Sequence, residues 1–171
     1  MFFLHEMEHT VTLHPSYFDQ KTHTYCEDQL YGDIEGTNTG SYYILCVVNI
    51  LDISEPRVLP GSSYAEFKIS FSAVVWRPFK GEVCDGLVTQ VMQTGFFVDV
   101  GPLTVFVSKA MIPPEFKYDG NATPPQFTDG DLVIERTTQV RVKIKGVRAE
   151  VGQMFAVATI REDYLGPLPE N

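Results

Sequence analysis

Basic residues are scarce in this chain: 13 lysines and arginines face 22 aspartates and glutamates, a formal net charge of −9 over 171 residues. The deficit runs through both halves, five basic against ten acidic residues in 1–80 and eight against twelve in 81–171. A free-standing nucleic-acid binder is usually basic, because phosphate neutralisation supplies most of its affinity. Only weak or locally patched RNA binding is therefore expected. Cysteine is equally sparse. Cys26, Cys46 and Cys84 have no paired spacing, and read as reduced, buried thiols of a cytosolic or nuclear protein rather than a disulfide framework. No apolar run approaches the roughly 18 residues of a membrane helix. The opening MFFLHEMEH has no basic segment ahead of an apolar one, so no secretion leader is expected. Catalytic signatures are missing too: no carboxylate pair in an apolar context, no nucleophile elbow, no Gly-rich phosphate loop, no Cys/His cluster with metal spacing. The chain is expected to be no enzyme, with no cofactor and no metal.

What is there is a hydrophobic content of 44%, enough for a packed core without staples. Phe2 to Leu13 reads as a strand, with Phe3, His5, Met7, His9, Val11 and Leu13 on one parity. It contains a literal His-Glu-x-x-His, His5 to His9. That motif binds zinc on a helix, where the two rings stack one turn apart. On a strand the two lie about 13 Å apart, too far to share an ion. Pro15–Phe18 turns the chain into a helix running to about Tyr31 and closed by Gly32 and Gly36, with Cys26, Leu30 and Ile34 on its apolar face. Two strands follow. Tyr42–Ile53 is long and apolar, which suggests a central position. Ala65–Trp76 carries Phe67, Ile69, Phe71, Ala73 and Val75 on one face. Between them Ser54–Tyr64, with Pro56, Pro60 and Gly61, reads as a projecting loop. This β-α-β-β sheet covers one face with one helix and leaves the other face and an edge in need of a partner. Arg77-Pro78 ends the last strand and marks a boundary between domains 1–78 and 79–171.

The second part opens on three β-type runs, Gly81–Val91, Gly95–Val100 and Leu103–Ser108, separated by turn residues. Phe96, Val98 and Val100 share one parity; so do Leu103, Val105 and Val107. A meander this tight suits the start of a small barrel. The ordered pattern Gly-x-Val, Gly-Phe-Phe-Val-x-Val-Gly, Val-Phe-Val-Ser resembles the oligonucleotide-binding (OB) barrel found in the first small-subunit ribosomal protein. Lys109–Pro114 is a short helical turn, Glu115–Asp131 a long loop, and Asp131–Arg136, Thr138–Val147 and Gln153–Arg161 are strands. The Pro-rich tail after Gly166 is expected to be disordered.

Val140-Arg-Val-Lys-Ile-Lys-Gly-Val-Arg148 holds four of the eight basic residues of the second half. Val140, Val142 and Ile144 would fill the barrel. Arg141, Lys143 and Lys145 would stand in a row outside it, with Arg148 past a turn at Gly146. Such a stripe can track a phosphate backbone; the alternative is a solvated strand whose charges discourage aggregation. Phe97 and Phe106 are candidate stacking platforms for bases, with a core role open for each.

Met-Phe-Phe-Leu, Leu13–Phe18, Ile34–Thr37, Tyr43–Val47, Ala65–Phe67, Phe79–Val83 and Glu162–Gly166 come in order. Together they resemble the seventh-subunit family of eukaryotic RNA polymerase II, which has a counterpart in the archaeal RNA polymerase. The resemblance implies an α+β N-terminal domain of truncated ribonucleoprotein type followed by an all-β OB-fold barrel. It implies a nuclear, non-catalytic stalk subunit that forms a heterodimer with the fourth subunit along both domains. The polymerase-docking tip, which meets the clamp and base of the core, would be Pro15, Ser16, Tyr17 and Phe18 with Arg57, Leu59, Pro60 and Gly61. Such a subunit supports transcription initiation and guides nascent RNA. Thr94 and Ser108 stand where RNA-binding barrels of this type commonly have an aromatic residue and a histidine, so stacking is expected to be poor there and RNA contact weak and sequence-tolerant. The alternatives are the equivalent subunit of another nuclear polymerase and a free-standing RNA-binding or translation-type factor.

Overall fold

The structure, a computed structural model, describes residues 1–150 and 152–169. The chain divides into two units, Met1–Arg77 and Pro78–Asn171. In the first, β1 (Phe2–Leu13), α1 (Thr22–Ile34), β2 (Tyr43–Ile53), β3 (Arg57–Val58) and β4 (Ala65–Trp76) make one sheet with a helix on it. β4 is its axis. β1 pairs antiparallel along its full length, from Phe2 opposite Trp76 to Leu13 opposite Ala65, and β2 and β3 pair with the other edge. Phe67, Ile69, Phe71, Ala73 and Val75 are all buried beneath α1, whose Cys26 and Leu30 are fully enclosed.

β2 is an edge strand, not central. Its register slips three times, so Ile44, Val47, Ile50 and Ile53 oppose the inward residues of β4. The passed-over Val48 and Leu51 stay exposed. The helix begins at Thr22, because Pro15–Tyr17 forms a separate 3-10 turn. His14 Nδ1 accepts from the Ser16 amide, Asp19 Oδ1 from the Lys21 amide, and the Thr22 hydroxyl bonds back to Tyr17 and Asp19 carbonyls. Gly32 lies within the helix; Gly36, at φ +75°, is the residue that turns the chain after it. The segment 54–64 is not loop throughout, since Arg57-Val58 pairs with Glu66 and Ala65. Among the cysteines only Cys26 is buried; Cys46 is exposed.

In the second unit β5 (Val83–Met92), β6 (Gly95–Val100) and β7 (Leu103–Ser108) form the expected meander, and a 3-10 turn spans Lys109–Met111. β8 (Lys117–Asp119), β9 (Gln126–Thr128) and β10 (Val133–Ile134) form a small antiparallel sheet; β10 lies within the expected strand Asp131–Arg136, whereas β8 and β9 stand in the segment expected as a loop. The sheet is anchored by fully buried Phe127 and Ile134. β11 (Gln139–Glu150) pairs with β5 and β12 (Gln153–Thr159), and β12 runs parallel to β7, closing the barrel. β11 does not turn at Gly146; it passes a bulge there and continues. The start of the tail, expected to be disordered, is tied down as well, its last two residues lying outside the described ones. Gly166-Pro167 (β13) pairs with Arg141 and Val140, and the Leu168 amide donates to the Gln139 carbonyl. The barrel core is the inward parity of these strands: Phe96, Val98, Leu103, Val105, Val107, Val140, Val142 and Ile144. Among the described residues no helix is long and apolar enough to cross a membrane.

Candidate functional site

Alternation on β11 buries Val140, Val142 and Ile144 and turns Arg141, Lys143 and Lys145 outward. The row forms, but three of its four cations are already paired. Arg141 Nε and Nη2 donate to Asp85 Oδ1 and Oδ2 at 2.6 and 2.8 Å, Asp85 being directly opposite on β5. Lys143 and Lys145 donate to the two oxygens of Glu162 at 2.6 and 2.7 Å. These two lysines hold the Glu162 carboxyl down at about 2, and the Arg141 guanidinium holds Asp85 below its ordinary value. An acidic chain has supplied its own counter-ions, so the expected positive stripe is largely neutralised. Arg148 is exposed and makes no ion pair among the described residues.

Phe97 and Phe106 oppose each other across β6 and β7 with ring centroids 4.9 Å apart, on the outer face and half buried. They are not core residues. The row and the ring pair are not brought together: Arg141 sits at Asp85 of β5 and Phe97 at Gln90, on the order of 15 Å along that strand. The residue that sequence reasoning missed is Phe155. It faces Arg148 across the β11–β12 hairpin and is 44% exposed. With Val147 and Val157 the pair borders a cavity of about 460 Å³. Its signal was available in the parity of β12, where Met154, Ala156 and Ala158 are the buried set.

In the first unit both candidate tip segments leave the same end of the sheet. Pro15–Phe18 follows Leu13, which opposes Ala65, and Val58 of β3 opposes Ala65 from the other side. His14 and Tyr64 tie the segments together edge to face, with centroids 5.3 Å apart. Tyr17, Phe18 and Val58 are exposed. The Leu59–Ser62 turn is closed by the Ser62 amide and by Gly61 at φ +77°. The rest of the sheet is unevenly covered. On the strand faces turned away from α1, Phe2 and Leu4 are each 67% exposed. His5 and His9 lie along β1, His5 stacked on Tyr42 and His9 Nε2 3.5 Å from Asp33.

Two family models match the chain. The "SHS2 domain found in N terminus of Rpb7p/Rpc25p/MJ0397" covers residues 8–63, and the "S1 RNA binding domain" covers residues 77–157. The chain is 49% identical over 170 residues to DNA-directed RNA polymerase II subunit rpb7 of Schizosaccharomyces pombe, covering 98% of this chain and 99% of that one. It is 40% identical over 171 residues to the corresponding subunit of Saccharomyces cerevisiae, covering 98% of this chain and all of the yeast one. Against that of Dictyostelium discoideum the identity is 39% over 169 residues, with coverage of 97% and 98%. An α+β sheet domain followed by a closed barrel, matched end to end at these identities, places the chain in the family of DNA-directed RNA polymerase II subunit 7 proteins.

Proposed function

We propose that the chain is a non-catalytic stalk subunit of nuclear RNA polymerase II, held in a heterodimer with the fourth subunit. It docks on the clamp and base of the core through Pro15–Phe18 and Arg57–Gly61, supports initiation, and lets its barrel meet nascent RNA. The observation that carries the reading is the incompletely covered sheet of the first unit, whose outward Phe2, Leu4, Val48 and Leu51 stay exposed in the chain by itself. Exposed apolar side chains grouped on one domain mark a partner surface. Purification of the chain alone and together with the fourth subunit tests it. Alone, the chain should self-associate; with the partner it should form a monodisperse 1:1 complex. A stable monomer indifferent to the partner would favour a free-standing RNA-binding factor instead.

RNA contact is weak and sequence-tolerant in this reading. Phe97 and Phe106 offer ring surface; Arg148, which makes no ion pair among the described residues and lies opposite Phe155, contributes more per residue than Arg141, Lys143 or Lys145, whose charges Asp85 and Glu162 oppose. Exchanging Arg141, Lys143 and Lys145 together for Ser should lower crosslinking to transcript. It should also shallow the salt slope by less than the roughly one unit per phosphate contact that free cations would give. Arg148→Ser alone should shallow it by about one. Slopes that move in neither variant remove this face from RNA binding.

A further inference from the structure

An open cavity of about 420 Å³ lies between α1 and the end of β1. Its walls are aromatic. Tyr17 meets Tyr25 edge to face at 5.1 Å, and His14 meets Tyr64 in the same way at 5.3 Å. The His14 ring is fixed through its Nδ1 by Ser16. On α1, Tyr25, Asp28 and Gly32 follow one another at helical spacing and line the cavity together. Asp28 is exposed and makes no ion pair among the described residues.

Gly32 is the odd residue. It stands inside a helix, where glycine is among the poorest formers. Its φ is not in the left-handed region, and a Cβ built on it would meet no atom within 4 Å. Neither backbone conformation nor packing within the chain requires glycine there. A side chain at this position would project into space that an approaching group could use.

We infer that this cavity receives a cationic side chain, a lysine or an arginine, projecting from a polypeptide segment of the polymerase core. The inference rests on the docking reading above and narrows it to one chemistry. Ring faces attract a cation through their quadrupoles, and the Asp28 carboxylate supplies the opposite charge beside them. An apolar occupant would desolvate Asp28 without pairing it. A phosphate or nucleotide would be repelled by it. The ten acidic against five basic residues of positions 1–80 also draw cationic segments toward this unit.

The test measures binding of the full chain, paired with the fourth subunit, to RNA polymerase II core lacking both. Asp28→Asn should weaken binding about fivefold to tenfold. Tyr17→Leu should weaken it similarly, and Tyr17→Phe, which keeps the ring, should restore most of the loss. Gly32→Leu fills the cavity with a better helix former: the chain should become more heat-resistant and yet bind the core at least about tenfold more weakly. A carbodiimide coupling from Asp28 to a core amine identifies lysine; loss of affinity without coupling identifies arginine. If the unmodified heterodimer does not bind the core, the docking reading itself fails. If it binds and the Asp28, Tyr17 and Gly32 variants bind within about twofold of it, only the cavity assignment is overturned. Loss in Tyr17→Leu with none in Asp28→Asn overturns the cation in favour of an apolar occupant.

Discussion

Glu162 holds two lysines at once, its oxygens 2.6 and 2.7 Å from the Lys143 and Lys145 ammonium nitrogens. Both bonds favour the ionised carboxyl, which is why it titrates at about 2. The sign follows from linkage. A carboxyl lowered on folding contributes stability above its ordinary value of about 4.3, and that contribution disappears as the pH falls through about 2. The group is exposed, so the effect on stability is small, and its titration is the better readout. A carbon-detected NMR titration should give a midpoint of about 2 for Glu162, returning to the ordinary range when Lys143 and Lys145 are both changed to Met. An ordinary midpoint in the unmodified chain would remove these bonds. In the RNA contact proposed above this carboxylate opposes the two lysines, so Glu162→Gln should raise RNA affinity and steepen its salt dependence; no change would mean that the two lysines never meet phosphate. The row itself was legible from alternation. Its counter-ions were not, because Asp85 lies 56 residues from Arg141 in sequence and only barrel closure sets them side by side. Gly95 was legible as a turn glycine and no more. A Cβ there would collide with the Val107 carbonyl oxygen, against the backbone of β7. Gly95→Ala should therefore destabilise the barrel by about 2–4 kcal/mol in urea unfolding; a cost below about 0.5 kcal/mol would show that the strands can part there at little penalty.

α1 stays on the sheet through very few residues. Cys26 and Leu30 are its only fully enclosed side chains, and Leu30 belongs to the same buried cluster as Phe67 and Phe71. Leu30→Ala should cost about 2–4 kcal/mol of stability. Tyr31→Ala, one position on but 38% exposed, should cost under about 1 kcal/mol. Similar losses at the two sites in thermal or urea unfolding would mean that the helix does not pack as described. Elements with regular alternation were readable from sequence. β1, β4, β6 and β7 match their expected spans because their apolar residues recur with period two, and in β4, β6 and β7 that parity is the buried one. β2 misled because its apolar content suggested enclosure on both sides. Three bulges give it an inward period of three rather than two, and the surplus apolar residues face outward. β8 and β9 were hidden by their composition, while their partner β10 falls within the expected strand Asp131–Arg136. Strands of three residues among proline, glycine and aspartate carry no period to detect, and only the buried Phe127 marks them. The tail was misread for a related reason: proline argues against a ladder interior, yet Pro167 needs no amide of its own to pair at an edge.

Taken as a whole, the molecule has two bodies that solve the problem of sheet edges differently. The second closes its strands into a ring through the β12–β7 and β11–β12 pairings and leaves few edges open. The first cannot close: β1 and β2 are both edges, and one helix covers one face. Its uncovered apolar side chains are therefore a cost to the isolated chain and a gain in a complex. Val48 and Leu51, 49% and 54% exposed, are the clearest test, because they are the residues that the bulges of β2 displace from the core. Changing both to Ser truncates side chains that are only half buried and lie outside the core, so the melting temperature of the chain should move by no more than a few degrees. Completing the burial of a half-exposed Val or Leu is worth about 1 kcal/mol each. The double change should therefore weaken the proposed heterodimer with the fourth subunit by about tenfold to thirtyfold, while making the isolated chain more soluble. Calorimetric titration and light scattering read the two effects separately. An unchanged affinity with improved solubility would place the partner on the Phe2–Leu4 side of the sheet, and the corresponding Phe2→Ser, Leu4→Ser chain would then show the loss. If neither pair affects affinity, the open sheet is not where the partner sits.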